Sequence, residues 1–165
     1  MNKLALTLAL LSASAFAADK PGKPAPKPAA PIYDTYALGS KELAWKKVVC
    51  AESNRRMLVN FGTNDCAACR VVNQAMTEPK FYDALIRQFV PVYIDVSKGS
   101  PNLDLLKDYG IDPAKPLPAF VVFDEEFKFV EKTKDGELAD LAKSGVEGVQ
   151  GWILKRFVKT PGDQQ

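Results

Sequence analysis

The stretch MLVNFGTNDCAACRVVNQAM, from Met57 to Met76, decides the fold prediction. Its apolar start, Met57–Phe61, is predicted as a buried strand, and the residues from Cys66 onward follow a helical pattern. This junction puts the thiol of Cys66 at a helix N-terminus, where unpaired backbone N–H groups and the helix dipole stabilise a thiolate. Cys69 lies one turn further along, close enough to form a disulfide with Cys66.

A Cys-x-x-Cys motif beside a βαβ pattern is typical of thiol–disulfide exchange, in which one thiolate attacks and the second thiol resolves the mixed disulfide. We expect Cys66 to attack and Cys69 to resolve. The alternative is a purely structural disulfide. Closing so small a loop constrains the unfolded chain little, which makes that alternative the weaker one.

The remaining pattern predicts helices and strands in the order α-β-α-β-α-β-β-α. Ser40 is predicted as the N-cap of the first helix. The parallel βαβ half, the hairpin and the closing helix indicate an α/β fold with a mixed central sheet flanked by helices. The predicted helices span residues 40–51, 66–76 with its continuation at 80–88, 103–109 and 137–159. The predicted strands span 57–61, 89–96, 119–123 and 127–131.

The N-terminus has the features of an export signal. Met1–Lys3 is a short basic start, Leu4–Leu11 is apolar except for Thr7, and small residues in an A-x-A pattern follow. We predict a signal peptide over residues 1–18, rather than an ordinary N-terminal helix, and a periplasmic or secreted protein. Residues 19–34, rich in Pro, Ala and Lys, are predicted to form an extended linker.

Composition bounds the function of the 35–160 domain. The whole chain carries a formal charge of +2, but residues 1–31 hold four lysines and one aspartate, so the remainder is close to neutral. This balance argues against nucleic-acid binding. The chain has no histidine, which excludes Cys–His and Ser–His nucleophilic pairs and makes a metal site improbable. Neither stable membrane insertion nor an organic cofactor is expected, and residues 161–165 are predicted to be a flexible tail.

The strand Val59-Asn60-Phe61 leads to the motif Cys66-Ala67-Ala68-Cys69, and the pair Leu117-Pro118 stands before a later strand. With this layout the chain resembles the thioredoxin superfamily over roughly residues 38–160, and the segment from Cys69 to Val96 is closer to the exported members than to classical thioredoxin. The resemblance implies a thioredoxin-like fold with Cys66 and Cys69 as the catalytic pair. It also implies a cis bond at Pro118, with the Leu117 backbone offered to an extended substrate peptide.

The chain departs from the family pattern near the motif. Asp65 stands where tryptophan is common, Ala67-Ala68 where Gly-Pro is common, and Asn60 where classical thioredoxins have a buried aspartate. The family's lysine, near the position of Pro91, is missing as well. The usual proton relay to Cys69 is therefore not expected to operate in the same way.

Four further residues are candidates for tuning the cysteine pair or for side reactions. A carboxylate at Asp65 should raise the pKa of Cys66, and Arg70 could offset that effect. Asn60 is the third candidate modulator. Cys50 is expected to be a buried small residue, although an exposed thiol that dimerises or oxidises is the alternative.

We therefore expect an exported thiol–disulfide oxidoreductase whose cofactor is its own Cys66–Cys69 pair. Its predicted partners are exported proteins with cysteines and a membrane-bound or periplasmic redox partner, because an oxidising compartment supplies no reducing pool. Ala67-Ala68 offers no charge or hydrogen-bonding side chain to stabilise a thiolate, which together with Asp65 favours a reductase. The alternative function is a non-catalytic binding module with a vestigial or regulatory dithiol.

Overall fold

The computed structural model describes residues 30–158. The predicted signal peptide (1–18), residues 19–29 of the predicted linker, the predicted tail (161–165) and residues 159–160 lie outside the described residues. The helices are α1 (Gly39–Ser53), α2 (Ala67–Thr77), α3 (Pro79–Leu85), α4 (Leu103–Asp108), α5 (Glu137–Leu141) and α6 (Gly145–Phe157), with a 3-10 turn at Ala142–Ser144. The strands are β1 (Arg56–Gly62), β2 (Phe89–Asp95), β3 (Ala119–Phe123) and β4 (Phe129–Lys132).

The four strands form one mixed sheet in the order β2-β1-β3-β4. Strands β1 and β2 are parallel, while β1 with β3 and β3 with β4 are antiparallel. This topology confirms the predicted βαβ half followed by a hairpin. The central strand, β1, is buried along its whole length and ends beside the Cys-x-x-Cys motif.

Helices cover the sheet on both faces, so alternate residues of each inner strand enter two separate cores. Met57, Val59 and Phe61 lie in a cluster with residues of α1 and α4. Leu58 lies in the other cluster, with residues of α2, α3, α5 and α6. Five phenylalanines contribute buried rings to these cores: Phe61, Phe81, Phe89, Phe120 and Phe123.

The start of α1 differs from the prediction. The helix begins at Gly39 rather than after Ser40, and its N-cap, Leu38, makes no side-chain capping hydrogen bond. The side chain of Asn102 takes that role, because its Oδ1 accepts from the Gly39 N–H at 2.8 Å and its Nδ2 donates to the Ala37 carbonyl at 3.0 Å. A cap supplied from a distant loop leaves no local sequence signal.

The C-terminal end of the predicted linker packs onto the domain. Tyr33 belongs to the predicted linker, yet its side chain is only 1% exposed. The backbone N–H groups of Ile32 and Tyr33 both donate to Asn64 Oδ1, at 2.8 and 3.0 Å. The segment is held by these hydrogen bonds and by burial of an aromatic ring, so Ile32 and Tyr33 are part of the domain.

Candidate functional site

The two cysteines of the motif lie at the junction between β1 and α2 and form a disulfide, with their Cα atoms 5.2 Å apart. Cys66 is the N-cap of α2, and Cys69 lies in the first turn of that helix. Cys66 is half-buried, whereas Cys69 is fully buried. An incoming disulfide can therefore reach the sulfur of Cys66 more readily than that of Cys69.

The sulfur of Cys66 caps the helix. The backbone N–H of Cys69 donates a hydrogen bond to the Cys66 sulfur over 3.0 Å. The same N–H group would stabilise negative charge on that sulfur, in addition to the favourable helix dipole. The local geometry therefore favours a thiolate at Cys66 in the reduced protein.

The loop before β3 faces the cysteine pair. The peptide bond between Leu117 and Pro118 is cis. The Leu117 carbonyl oxygen lies 3.5 Å from the sulfur of Cys66, and Pro118 is buried. Because β3 runs antiparallel to β1, with Ala119 opposite Phe61, the two loops meet at one end of the sheet. The four residues predicted as catalytic or substrate-binding are thus brought together.

The three candidate modulators lie in different surroundings. Asp65 is exposed and accepts a hydrogen bond from the Thr63 hydroxyl, which is the main cause of a lowered pKa for the Asp65 carboxyl. Arg70 is also exposed and donates to the carbonyl of Asn64 at 2.7 Å. Water around both charges weakens any effect they have on the cysteines. Asn60 is fully buried in β1.

Three residues near the site were missed by the sequence analysis. The hydroxyl of Tyr33 donates to Asn60 Oδ1 at 3.1 Å. Gly62, at the end of β1, has no room for a side chain: a Cβ there would overlap the Tyr33 hydroxyl and lie 3.0 Å from the sulfur of Cys69. Asn64 ties the Tyr33 segment to the loop before Cys66. The only sequence signal for this arrangement was Gly62, a glycine at the end of a strand of otherwise bulky residues, which indicates a close contact there.

Cys50 lies away from this site, on α1, with no exposed surface. It is a free thiol, and burial raises its pKa. A protonated and inaccessible thiol is poorly reactive. The alternative of an exposed, dimerising Cys50 is therefore wrong.

Residues 30–158 contain neither a ready-made metal site nor a membrane-spanning helix. Within this range, no group of three or more histidine, cysteine, aspartate or glutamate side chains is arranged to hold a metal ion. In the same range, every helix is too short or too polar to cross a membrane.

Comparisons with known proteins agree with this geometry. The thioredoxin-like family profile matches residues 41–125. A crystal structure of a disulphide isomerase from Xylella fastidiosa Temecula1 is 30% identical, with a TM-score of 0.68, and the match covers 75% of this chain and 95% of that one. The oxidised C-terminal domain of DsbD from Neisseria meningitidis is 19% identical, with a TM-score of 0.46, covering 67% and 97%. No curated protein gave a significant match.

The profile matches more than half of the chain, and the Xylella structure is matched over nearly its full length. The mixed sheet and the Cys66–Cys69 disulfide at the start of α2 fit the same family. The chain belongs to the thioredoxin-like family.

Proposed function

We propose that this chain is an exported thiol–disulfide oxidoreductase that exchanges disulfides with the cysteines of other exported proteins. The observation that carries the proposal is the sulfur of the half-buried Cys66, which accepts a hydrogen bond from the Cys69 N–H and lies 3.5 Å from the Leu117 carbonyl oxygen. The similarity to a disulphide isomerase supports the same class of chemistry. The basic, then apolar, then small-residue pattern of residues 1–18 supports export.

In the reducing direction, the Cys66 thiolate attacks a substrate disulfide. A bond forms between Cys66 and one substrate sulfur, and the other substrate sulfur leaves with the electron pair and takes up a proton. Cys69 then attacks Cys66, which closes the Cys66–Cys69 disulfide and releases the second substrate thiol. Two electrons pass from the protein to the substrate.

The substrate peptide would lie along the loop before β3. There, the backbone of Leu117 can pair with an extended segment, while Pro118 fixes the loop opposite Cys66. Cysteine-containing exported proteins are the proposed substrates. A membrane-bound or periplasmic redox partner would restore the dithiol, because an oxidising compartment supplies no reducing pool. The exchange itself needs no organic cofactor.

The preferred direction is reduction. Ala67 and Ala68 present no charge and no hydrogen-bonding side chain between the cysteines, so they add nothing to the stability of the Cys66 thiolate. A less stabilised thiolate gives a lower reduction potential and a better reductant. Because the Asp65 carboxylate is exposed, it contributes little to this argument. Equilibration with glutathione buffers measures the potential and tests the direction.

Catalysed reduction of insulin by dithiothreitol tests the activity. We expect the wild-type chain to accelerate precipitation of the insulin B chain and Cys66→Ala to abolish the acceleration. Cys50→Ala is the matched control, because it makes the same substitution at a buried thiol away from the site. If the wild-type chain has no effect, the alternative of a non-catalytic binding module replaces this proposal.

A further inference from the structure

A buried tyrosine hydroxyl lies beneath the cysteine pair. Tyr33 is 1% exposed, and its ring packs edge-on against Tyr93 with centroids 6.1 Å apart. Three hydrogen bonds tie this segment to the side chain of Asn64. The backbone N–H groups of Ile32 and Tyr33 donate to Asn64 Oδ1, and Asn64 Nδ2 donates to the Tyr33 carbonyl at 2.9 Å. Since Asn64 is two residues before Cys66, these bonds hold the segment against the loop that leads into the motif.

The hydroxyl of Tyr33 and the sulfur of Cys69 are neighbours. A Cβ on Gly62 would overlap the hydroxyl and would lie 3.0 Å from the sulfur, so both groups border the same small space. On its other side the hydroxyl donates to Asn60 Oδ1 at 3.1 Å. A hydroxyl can rotate and exchange one acceptor for another, so Asn60 and a reduced Cys69 are alternative partners for the same proton.

The reduced Cys69 needs such a donor. The sulfur is fully buried, and an anion without water or a hydrogen bond is strongly disfavoured. The hydroxyl itself stays protonated, because burial, Tyr93 and Asp95 all raise the pKa of Tyr33. It can therefore donate a hydrogen bond but cannot act as the base.

The charged groups nearby do not provide an alternative donor. Asp95 is a buried acid on β2 with one carboxylate oxygen, Oδ1, that has no hydrogen-bond partner among the described residues. Arg70 is exposed and engaged with the carbonyl of Asn64. Tyr93 and Asp95 of β2 are the ionisable residues whose charges act on the Tyr33 hydroxyl. Asp65 and Arg70 flank the cysteine pair in the sequence, and both are exposed.

We propose that the Tyr33 hydroxyl is a further catalytic group, which leaves Asn60 and donates its hydrogen bond to the Cys69 thiolate during the resolving step. This inference rests on the proposed thiol–disulfide exchange. In that step, Cys69 gives its proton to solvent and its electron pair to a new bond with Cys66. The bond from Cys66 to the substrate sulfur breaks, and the substrate leaves as a thiolate that is protonated by water. The Tyr33 proton stays on its oxygen throughout.

The reaction of the reduced full chain with one equivalent of dithiobisnitrobenzoate separates the two steps. Attack by Cys66 releases the first coloured thiolate, and attack by Cys69 on the mixed disulfide releases the second. All variants carry Cys50→Ala, so that only the motif can react. The rates of both phases are measured by stopped flow across pH.

Tyr33→Phe removes the hydroxyl and keeps the ring. We expect the second phase to slow by about tenfold at neutral pH and its pH midpoint to rise by about one unit, since a hydrogen bond to a charged group is worth at least this much. The first phase should not change. Tyr93→Phe is the matched control: it removes a second phenol from the same aromatic pair and leaves the Tyr33 hydroxyl in place, so both phases should keep their wild-type rates.

Asn60→Ala gives a change of opposite sign. Without its competing acceptor, the Tyr33 hydroxyl is always available to Cys69, so the pH midpoint of the second phase should fall. If Tyr33 and Asn60 had only structural roles, the two variants would not shift the pH midpoint of the second phase in opposite directions. An unchanged midpoint in Tyr33→Phe, or equal slowing of both phases, overturns the inference. If Tyr33→Phe does not fold, Asn60→Ala decides the question: a lower pH midpoint of the second phase supports the inference, and an unchanged one overturns it.

This assay also separates the inference from the proposed function. The small disulfide reports only on Cys66 and Cys69, whereas insulin reports on a protein substrate. If insulin reduction fails while the second phase shifts in Tyr33→Phe, the role of Tyr33 stands and the proposed function is wrong. If insulin reduction succeeds with no shift, only the role of Tyr33 is wrong.

Discussion

The backbone N–H of Cys69 donates to the sulfur of Cys66 at 3.0 Å, so the second cysteine of the motif stabilises the first through its main chain. The side chains of the two residues differ in access: that of Cys66 is half-buried and that of Cys69 is fully buried. In the exchange proposed above, Cys66 would attack the substrate, and Cys69 would stay protected until a mixed disulfide has formed.

Alkylation should distinguish the cysteines. After reduction, a limiting amount of iodoacetamide should label Cys66 well before Cys69 or Cys50, because Cys66 alone combines access with a stabilised thiolate. Peptide mass spectrometry gives the order. Predominant early labelling of Cys69 or Cys50 would reverse the assignment.

Removal of the resolving thiol should trap substrates. In Cys69→Ala, the mixed disulfide formed by Cys66 cannot be resolved within the protein, so adducts with exported proteins should accumulate. Non-reducing gels of cells that express the variant should show these adducts, and Cys66→Ala/Cys69→Ala should show none. A lane without adducts in the single variant would favour the binding-module alternative.

Asp65 provides a test of surface electrostatics. Replacing its carboxylate with the amide of Asn should lower the pKa of Cys66, because a negative neighbour disfavours the thiolate. The carboxylate is exposed and bonded to Thr63, so we expect a shift of only about 0.3 units. The pH dependence of Cys66 alkylation measures it. A shift of a full unit would mean that Asp65 turns toward the sulfur in the reduced protein.

The main features of the fold and site were predictable because they have local causes. The apolar strand before Cys66, the helical pattern after it and the hairpin pattern around residues 119–131 each carry their own periodicity. They led to the mixed sheet and to the placement of Cys66 and Cys69 at a helix start. The predicted gap between the helices at 66–76 and 80–88 is also present, and Glu78 caps α3 there by accepting from the Phe81 N–H at 3.1 Å.

The parts that could not be predicted depend on contacts between distant residues. Tyr33 follows a proline-rich stretch with the composition of a linker. Its ring can be buried because Gly62 has no side chain and so leaves room for the hydroxyl. Asn102 caps α1 from a loop more than sixty residues away. No periodicity or spacing connects such pairs, so their roles emerge only from the folded chain.

Buried tyrosines should limit stability in alkali. Burial raises the pKa of Tyr93 to about 12 and also raises that of Tyr33. The unfolded chain ionises at a pH of about 10, so the fold favours the neutral phenols, and its stability should be constant below that pH and fall above it. Urea unfolding on either side of pH about 10 checks this. Tyr93→Phe should lose less stability than wild type over the same interval, and an equal loss would contradict the assignment.

Gly62 should not tolerate even a methyl group. A Cβ at this position overlaps the Tyr33 hydroxyl and crowds the sulfur of Cys69, so Gly62→Ala must displace one of them. We expect a loss of about 1–3 kcal/mol in the free energy of unfolding, as for other overpacked cores. Urea denaturation of the oxidised protein measures this loss.

The matched control for that prediction is Gly151→Ala, on α6. A Cβ at Gly151 meets no atom within 4 Å, so the substitution should stabilise the helix by about 0.5–1 kcal/mol through lower backbone entropy. Gly62→Ala should also slow the resolving phase of the dithiobisnitrobenzoate reaction, because a displaced hydroxyl cannot reach Cys69. If Gly62→Ala were as stable as wild type and resolved at the same rate, the close approach of Tyr33 to Cys69 would have no consequence.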